Sequence, residues 1–214
     1  MKRLFIIALG LTAGSLTFKA SAQTTQTAAN DQIRFGIKAG ANLMKIGKYN
    51  FLDQEYSTDY KVGFQAGIYA DLPLGGGFAF LPEATFTQKG FKLKETVGET
   101  TGEINSKLNY LDIPVLIGYR PSPEFTIFAG PQASFLLSQK TEIKANGDEI
   151  SSTTDTDALR KSIAGGVIGL GYSITPNINI NGRYMMDFQS AAKDDQNQDK
   201  GKNSGFALSL GYTF

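Results

Sequence analysis

The charged residues best placed for chemistry in this 214-residue chain lie inside apolar stretches that alternate with period two. Lys38, Glu83, Asp112 and Arg183 each occupy the polar row of such a stretch, near its middle. Carboxylates in that setting act either as acids and bases or as partners in ion pairs. The chain has no histidine, so the commonest general base and metal ligand is missing. We therefore expect these four residues to form a structural charge cluster centred on Glu83 and Arg183.

Other motifs that could carry chemistry are weak. The glycines of residues 165–171 are in the wrong order for the G-x-G-x-x-G fingerprint of dinucleotide binding. Residues 195–199 match the first ligand positions of a calcium loop, but Lys200 and Phe206 stand where glycine and glutamate are needed. A Ser–His–Asp arrangement is excluded without histidine. The sequence thus predicts no catalytic, cofactor-binding or metal-ligating residues, and a protein that is not an enzyme. Weak cation binding by this outer loop stays open.

The first 22 residues predict export. Basic Met1-Lys2-Arg3 precedes a mostly apolar stretch from Leu4 to Phe18, and Ala20-Ser21-Ala22 supplies small residues for cleavage. The alternative, a membrane anchor, needs about 20 apolar residues, more than this stretch contains. We expect a signal peptide over 1–22, cleaved after Ala22, then a disordered polar linker over 23–32 and one domain over 33–214.

Composition narrows the classes of partner. The whole chain carries 21 basic and 20 acidic residues, and loss of the three basic residues before Gln23 leaves a slight acidic excess. A nucleic-acid-binding protein would present a basic surface, so that class is excluded. The chain has no cysteine, so an exported form would be held together without disulfides.

The elements that must position the charged residues are β-strands. Alternation of apolar and polar residues predicts eight strands, near residues 33–43, 64–72, 78–87, 110–119, 125–138, 159–172, 178–188 and 204–214. Tight turns rich in proline and glycine, at 72–77, 120–124 and 173–177, alternate with long polar connections near 44–61, 88–107, 139–158 and 189–203. This layout predicts an all-β fold, an eight-stranded antiparallel up-and-down transmembrane β-barrel with its short turns in the periplasm.

The two faces of the predicted strands have different chemistry. One row is apolar and carries aromatics at both ends, as expected for a surface between two membrane interfaces. The other row carries small and polar residues together with the inward carboxylates Glu83, Asp112 and Asp187, which an eight-stranded lumen has just enough space to hold. Pro82, Pro114 and Pro131 lie in mid-strand, where we expect local β-bulges because proline donates no ladder hydrogen bond.

Five sequence stretches resemble the PorT-type family of outer-membrane β-barrels. They are RFGIKAGAN (34–42), LPEATFTQKG (81–90), LNYLDIPVLIGY (108–119), GGVIGLGY (165–172) and INGRY (180–184). The resemblance implies a single eight-stranded barrel, exported by a signal peptide to the outer membrane. The family's namesake assists protein secretion, and most members have no assigned activity. The terminal strand ending on Phe214 resembles the signal that the barrel-assembly machinery recognises during insertion.

These patterns together predict a non-enzymatic outer-membrane barrel with a plugged lumen. Its expected partners are outer-membrane lipid, the barrel-assembly machinery during insertion, and a protein bound by long extracellular loops, with PorT-like secretion support as one version. The alternative is porin-like transport of small solutes. A soluble lipocalin-like binder would have an apolar interior, whereas here the polar row bears Lys38, Gln65 and Glu83 and must face inward.

Overall fold

The computed structural model describes residues 32–47, 49–51, 54–56, 58–97, 100–193 and 201–214. The predicted signal peptide, the predicted linker up to residue 31 and the candidate calcium ligands at 195–199 lie outside the described residues. Within the described ranges, no helix is long and apolar enough to cross a membrane.

The described residues form eleven β-strands. They are β1 (Arg34–Ile46), β2 (Tyr49–Phe51), β3 (Gln54–Tyr56), β4 (Lys61–Gly75), β5 (Phe78–Val97), β6 (Thr100–Tyr119), β7 (Phe125–Ala145), β8 (Asp148–Thr153), β9 (Ser162–Ser173), β10 (Ile178–Asp187) and β11 (Asn203–Thr213). Eight of them pair antiparallel with their neighbours in the order β1-β4-β5-β6-β7-β9-β10-β11, and β11 pairs back to β1. The predicted fold, an all-β barrel of eight antiparallel strands, is confirmed.

Closure of the ring explains why the last strand is fully alternating. Gly36 pairs with Thr213 and Ile46 with Asn203, so the whole of β11 lies against β1. A closed barrel leaves no unpaired edge, which is the condition for strands to cross hydrocarbon. The apolar row of β11 is exposed on the outside of the ring, and its alternate residues, Ala207 and Ser209 among them, are buried inside.

Aromatic side chains mark two rims on the outer surface of the ring. At the short-turn end Phe78 lies 5.1 Å from Tyr119, measured between ring centroids. At the opposite end Tyr184 lies 5.1 Å from Phe206. Aromatic belts of this kind occur where a protein meets both interfaces of a membrane. The end with the long hairpins is the extracellular one in such barrels, and the end with short turns is the periplasmic one.

The strands β5, β6 and β7 are far longer than the sequence pattern predicts. Residues 88–97, 100–107 and 139–145, expected to be loop, continue these strands beyond the outer aromatic rim, and β8 adds a fourth strand to the projecting sheet. The apolar alternation stops at the rim because the outer face meets water there, although the ladder continues. The expectation of loop is therefore wrong for residues 88–97, 100–107, 139–145 and 148–153, which form a four-stranded extracellular sheet, whereas residues 154–158 are not in a strand.

The expectation of β-bulges at the three prolines is also wrong. The pairing of β5 with β6 keeps one register on both sides of Pro82, and the pairing of β6 with β7 does so around Pro114 and Pro131. The register shifts instead between Asn109 and Tyr110 and near the short turn after Pro73. A missing proline donor thus interrupts the ladder locally without displacing it.

The lumen lining is mostly polar on one side, and on the other, here called the apolar side, apolar residues lie among charged ones such as Arg183 and Asp187. On β6, β7, β9 and β10 the inward residues include Leu116, Phe128, Val167 and Met185, which pack together as a buried cluster. On β1, β4, β5 and β11 the buried inward residues are mostly polar, among them Asn42, Gln65, Thr85, Thr87 and Ser209. The sequence pattern predicted the polar side only. These apolar side chains lie inside the bore.

Candidate functional site: the charged lumen

Three of the four predicted charged residues meet in the middle of the lumen. We call Lys38, Glu83 and Arg183 the lower ion cluster. Arg183 on β10 donates to both carboxylate oxygens of Glu83 on β5, at 2.8 Å to Oε2 and 3.0 Å to Oε1. Lys38 on β1 donates to the same Oε2 atom. The inward parity of the three strands places these side chains at one height and directs them toward each other.

The lower ion cluster is almost fully shielded from water. The side chains of Lys38, Arg183 and Glu83 are 1%, 3% and 7% exposed. The guanidinium carbon of Arg183 lies 5.2 Å from the centre of the Phe128 ring, a cation–π contact with the apolar side of the lumen. A two-pronged arginine–carboxylate contact is among the stronger hydrogen-bonded pairs in proteins. The cluster therefore joins opposite walls of the barrel across its bore.

Asp112, the fourth predicted residue, lies in a second cluster nearer the extracellular end. We call Lys89, Asp112 and Asp187 the upper ion cluster. Lys89 Nζ lies 3.0 Å from Asp187 Oδ1 and 3.5 Å from Asp112 Oδ1, and the three side chains are at most 2% exposed. Lys89 also donates to Ser134 Oγ at 3.0 Å, and Asn203 donates to Asp187 Oδ2 at 3.0 Å. This cluster links strands β5, β6, β7, β10 and β11.

Lys89 is the cluster residue that the sequence pattern missed. Its position falls in the segment 88–107 that was expected to be an outer loop, where a lysine would be solvated. The structure places it in β5, opposite Leu108 of β6, with its charge in the lumen and its ammonium 4.9 Å from the ring centre of Tyr110. Odd-numbered residues of β5 face inward from Ala79 to Lys89, so the parity of Glu83 continued by six residues would have found it.

A third charged group lies at the periplasmic end of the lumen. Asp71 Oδ2 accepts hydrogen bonds from Arg34 and from Arg120, both at 2.7 Å. Beside it, Tyr69 OH lies 2.7 Å from Thr213 Oγ1 and accepts from the amide of Asn179 at 2.8 Å. The arginines of this group are partly exposed, unlike the side chains of the two ion clusters above it.

An ion pair on the extracellular sheet contrasts with those in the lumen. Lys140 Nζ lies 2.7 Å from Glu142 Oε1 on the part of β7 that projects beyond the rim. The hydrogen bond between them lowers the pKa of Glu142 and raises the pKa of Lys140. Exposed pairs of this kind contribute little to stability because water and salt screen them.

Two of the three carboxylates in the ion clusters have both oxygens hydrogen-bonded, and Asp112 has neither. Glu83 and Asp187 each receive hydrogen bonds from a cation, and Asp187 receives another from Asn203. These hydrogen bonds occupy both oxygens of Glu83 and both oxygens of Asp187, so neither of these two carboxylates is free to take a proton from a substrate. The predicted assembly residue Phe214 lies apart from these clusters, at the periplasmic rim. It is 71% exposed, 5.5 Å from the Tyr212 ring, with its backbone bonded to Phe35.

A family model matches most of the chain. Residues 21–193 match the outer membrane protein beta-barrel domain. The chain belongs to this family. Membership agrees with the closed ring and the two aromatic rims, and it assigns the protein to the outer membrane. No curated protein matches the sequence.

Solved barrels share the architecture at low identity. The structure of Ail, the attachment invasion locus protein of Yersinia pestis, in complex with the heparin analogue sucrose octasulfate is 15% identical, with a TM-score of 0.51 over 86% of this chain and 99% of that one. Neisserial surface protein A is 15% identical, with a TM-score of 0.46 over 84% and 97%. The outer membrane protease OmpT of Escherichia coli is 12% identical, with a TM-score of 0.45 over 89% and 99%. The likeness to Ail supports the fold alone.

Proposed function

We propose that this family member is a closed, non-enzymatic outer-membrane barrel that binds a protein partner through its extracellular sheet. The observation that carries the proposal is the contrast between a lumen crossed by two ion clusters and a long projecting sheet with a free edge. Strands β5, β6 and β7 continue beyond the outer aromatic rim, and β8 adds a fourth strand that pairs on one side only in the described part of the chain. An exposed strand edge is a template for pairing with a strand of another protein.

The projecting sheet is well ordered by its own contacts. Asn146 and Gly147 have φ values of 51° and 96° and form the tight β7–β8 turn, as expected of an Asn-Gly pair in a hairpin. Lys61 of β4 donates to Asn105 Oδ1 at 2.6 Å and to the Ser106 carbonyl at 2.7 Å, which ties the barrel wall to β6. A rigid sheet supports partner binding because little conformational freedom is lost on association.

The side chains of the sheet also favour binding. All six residues of β8 are exposed, and Ile150 among them is 66% exposed. Exposed apolar residues of the barrel wall contact lipid. Ile150 lies beyond the outer rim, where its apolar side chain would face water unless a partner covered it. Secretion support of the PorT type is one form that such partner binding would take.

Crosslinking in intact cells tests the proposal. A photoreactive residue at Ile150, on β8, should capture a specific protein that the same residue at Leu74, an exposed position at the periplasmic turn, does not capture. Proline at Ser151, within β8, should disrupt this edge strand and abolish the capture without reducing the amount of barrel in the membrane. Equal capture from Ile150 with and without the Ser151→Pro change would contradict binding at this edge.

Transport of small solutes remains the second candidate function. The ≈ 400 Å³ cavity at the periplasmic end favours it, since the cavity leads into the bore. Lys38 and Glu83 form its inner end, however, and the apolar cluster with Phe128 lies at the same level. Steady currents through the purified barrel would favour transport over the closed barrel.

A further inference from the structure

The periplasmic third of the lumen contains a cavity that ends blindly at the lower ion cluster. Its volume is ≈ 400 Å³, within the range of sites that bind small ligands. Lys38 and Glu83 line its inner end, and Arg34, Asp71 and Arg120 line its mouth. Its opening lies between the short turns, which face the periplasm in barrels of this type. A ligand would therefore enter and leave from the periplasm.

The mouth of the cavity presents two guanidinium groups that converge on one oxygen. Arg34 and Arg120 both donate to Asp71 Oδ2 at 2.7 Å. The Arg120 side chain is 15% exposed and that of Arg34 is 33% exposed, so both are held in place yet accessible from the opening. Each guanidinium has five N–H donors, so donors remain on both for a second carboxylate.

Asp71 supplies an acceptor next to these donors. Its side chain is 6% exposed, and its Oδ1 atom is buried with no hydrogen-bond partner. A buried carboxylate oxygen without a donor is costly, so an N–H or O–H group of a ligand that reaches this atom would be stabilised. The mouth thus combines unused cationic donors with one unused anionic acceptor.

The remaining lining of the cavity suits a small ligand that has apolar and amide groups. Leu81, Leu116 and Phe128 form apolar walls near the inner end, and the amides of Asn179 and Asn181 line the polar side. The charged residues of the lining balance, with Arg34, Lys38 and Arg120 against Asp71, Glu83 and Glu124. The two converging guanidinium groups of Arg34 and Arg120, and not the net charge of the lining, therefore favour a ligand carboxylate.

We propose that this cavity binds a periplasmic ligand with a free carboxylate beside an N–H group, that is, an amino acid or the C-terminal residue of a peptide. The ligand carboxylate binds the N–H groups of Arg34 and Arg120. The neighbouring ligand N–H donates to Asp71 Oδ1. The rest of the ligand lies along the walls formed by Leu81 and Leu116.

Calorimetric titration of the full barrel in lipid nanodiscs tests this site. The probes are alanine, acetyl-alanyl-alanine and acetyl-alanyl-alanine amide. Saturable binding of acetyl-alanyl-alanine, with the amide at least about tenfold weaker, is expected because charged hydrogen bonds to two arginines are lost. Binding of alanine as tightly as the dipeptide would identify free amino acids as the ligand, and binding of the dipeptide alone would identify a peptide terminus.

Two variants distinguish the mouth from the rest of the barrel. Arg120→Met should weaken dipeptide binding about tenfold, and its fold should persist because Asp71 keeps its bond to Arg34. Arg160→Met, an arginine at the extracellular end bonded to Lys193, should bind like the wild type. Equal affinity for acid and amide in the wild-type barrel would overturn the proposal, and that comparison needs no variant to fold. Absence of saturable binding at millimolar concentrations would overturn it as well.

Discussion

The two ion clusters use the same chemistry in the same lumen, yet only the lower one was predicted in full. The lower cluster lies within the membrane-spanning part of the strands, where apolar alternation fixes which residues face inward. The upper cluster includes Lys89, which follows the outer aromatic Phe86 by three residues, at the point where alternation ends. Contact with lipid requires apolar residues on the outer face only. The apolar alternation therefore ends at the membrane boundary, although the strands and the lumen continue beyond it.

The clusters also differ in how their charges balance. The lower cluster has two cations for Glu83, so that loss of one cation leaves a neutral pair. The upper cluster has two carboxylates for one ammonium, so that loss of Lys89 leaves two anions buried together. Because buried like charges repel and an unpaired buried ion is costly, the upper cluster is the more sensitive one.

The largest mutational effect is therefore expected at Lys89. Lys89→Met should lower the free energy of unfolding by about 3–5 kcal/mol, since Asp112 and Asp187 lose their shared cation. Urea unfolding of the refolded barrel in lipid vesicles measures this change. Lys94→Met, five residues along β5 at an exposed position, is the matched control and should stay within about 0.5 kcal/mol of the wild type. Equal stability of the two variants would show that Lys89 carries no buried charge interaction.

A somewhat smaller effect is expected in the lower cluster. Glu83→Gln should cost about 3 kcal/mol, because Lys38 and Arg183 are left as neighbouring cations while the amide oxygen still accepts one hydrogen bond. Lys38→Met should cost only about 1–2 kcal/mol, because the two-pronged Arg183 contact remains. In a double-mutant cycle, Glu83→Gln and Arg183→Met should show a coupling of at least about 1 kcal/mol. Additive costs for these two changes would mean that the residues do not interact.

Phe214 should affect assembly more than stability. Its ring is 71% exposed on the barrel surface, so Phe214→Ala should lower the unfolding free energy by about 1 kcal/mol or less. The amount of folded barrel in cells should fall clearly, if the terminal aromatic is recognised during insertion. Phe206→Ala, a lipid-facing aromatic on the same strand, is the control and should leave cellular yield unchanged. Normal yield of Phe214→Ala would remove its role in assembly.

The exposed pair on the extracellular sheet should give the smallest effect. The pKa of Glu142 is lowered by Lys140, so any stability from this pair is present above the ordinary pKa of a glutamate and is lost as the pH falls through the lowered value. Solvent screening should make Lys140→Met indistinguishable from the wild type at neutral pH. A measurable loss in urea unfolding would show that the projecting sheet is coupled to the barrel through this pair.

The sequence predicted the ring but not its height or its inner packing. Strand number, closure and the inward parity of Lys38, Glu83, Asp112 and Arg183 follow from the alternation that lipid imposes. The extension of β5 to β7 leaves no such pattern, although Asn146-Gly147 is a strong hairpin signal that could have identified the β7–β8 turn. Inward apolar residues such as Phe128 could not be recognised from the sequence. A strand with apolar residues on both faces shows no alternation that tells the inner face from the outer one.

The β-bulges predicted at the prolines are absent because the register is determined by the whole ring and not by one residue. Ladder register in a barrel is fixed by many pairings at once, so the loss of one donor at Pro82 or Pro114 is absorbed locally. Each proline lies beside the next one on the neighbouring strand. Pro82 pairs with Val115, the residue after Pro114, and Pro114 pairs with Gln132, the residue after Pro131. These prolines lie at a similar height on neighbouring strands, so the sheet tolerates missing backbone donors close to each other.

Conductance in planar lipid bilayers tests the central claim, a lumen closed by two ion clusters and the apolar side chains between them, most directly. The wild-type barrel, inserted at the single-molecule level beside a conducting porin as control, is expected to show no steady current at any applied voltage that the bilayer withstands. Stable, ohmic single-channel currents from the wild-type barrel would contradict the closed lumen.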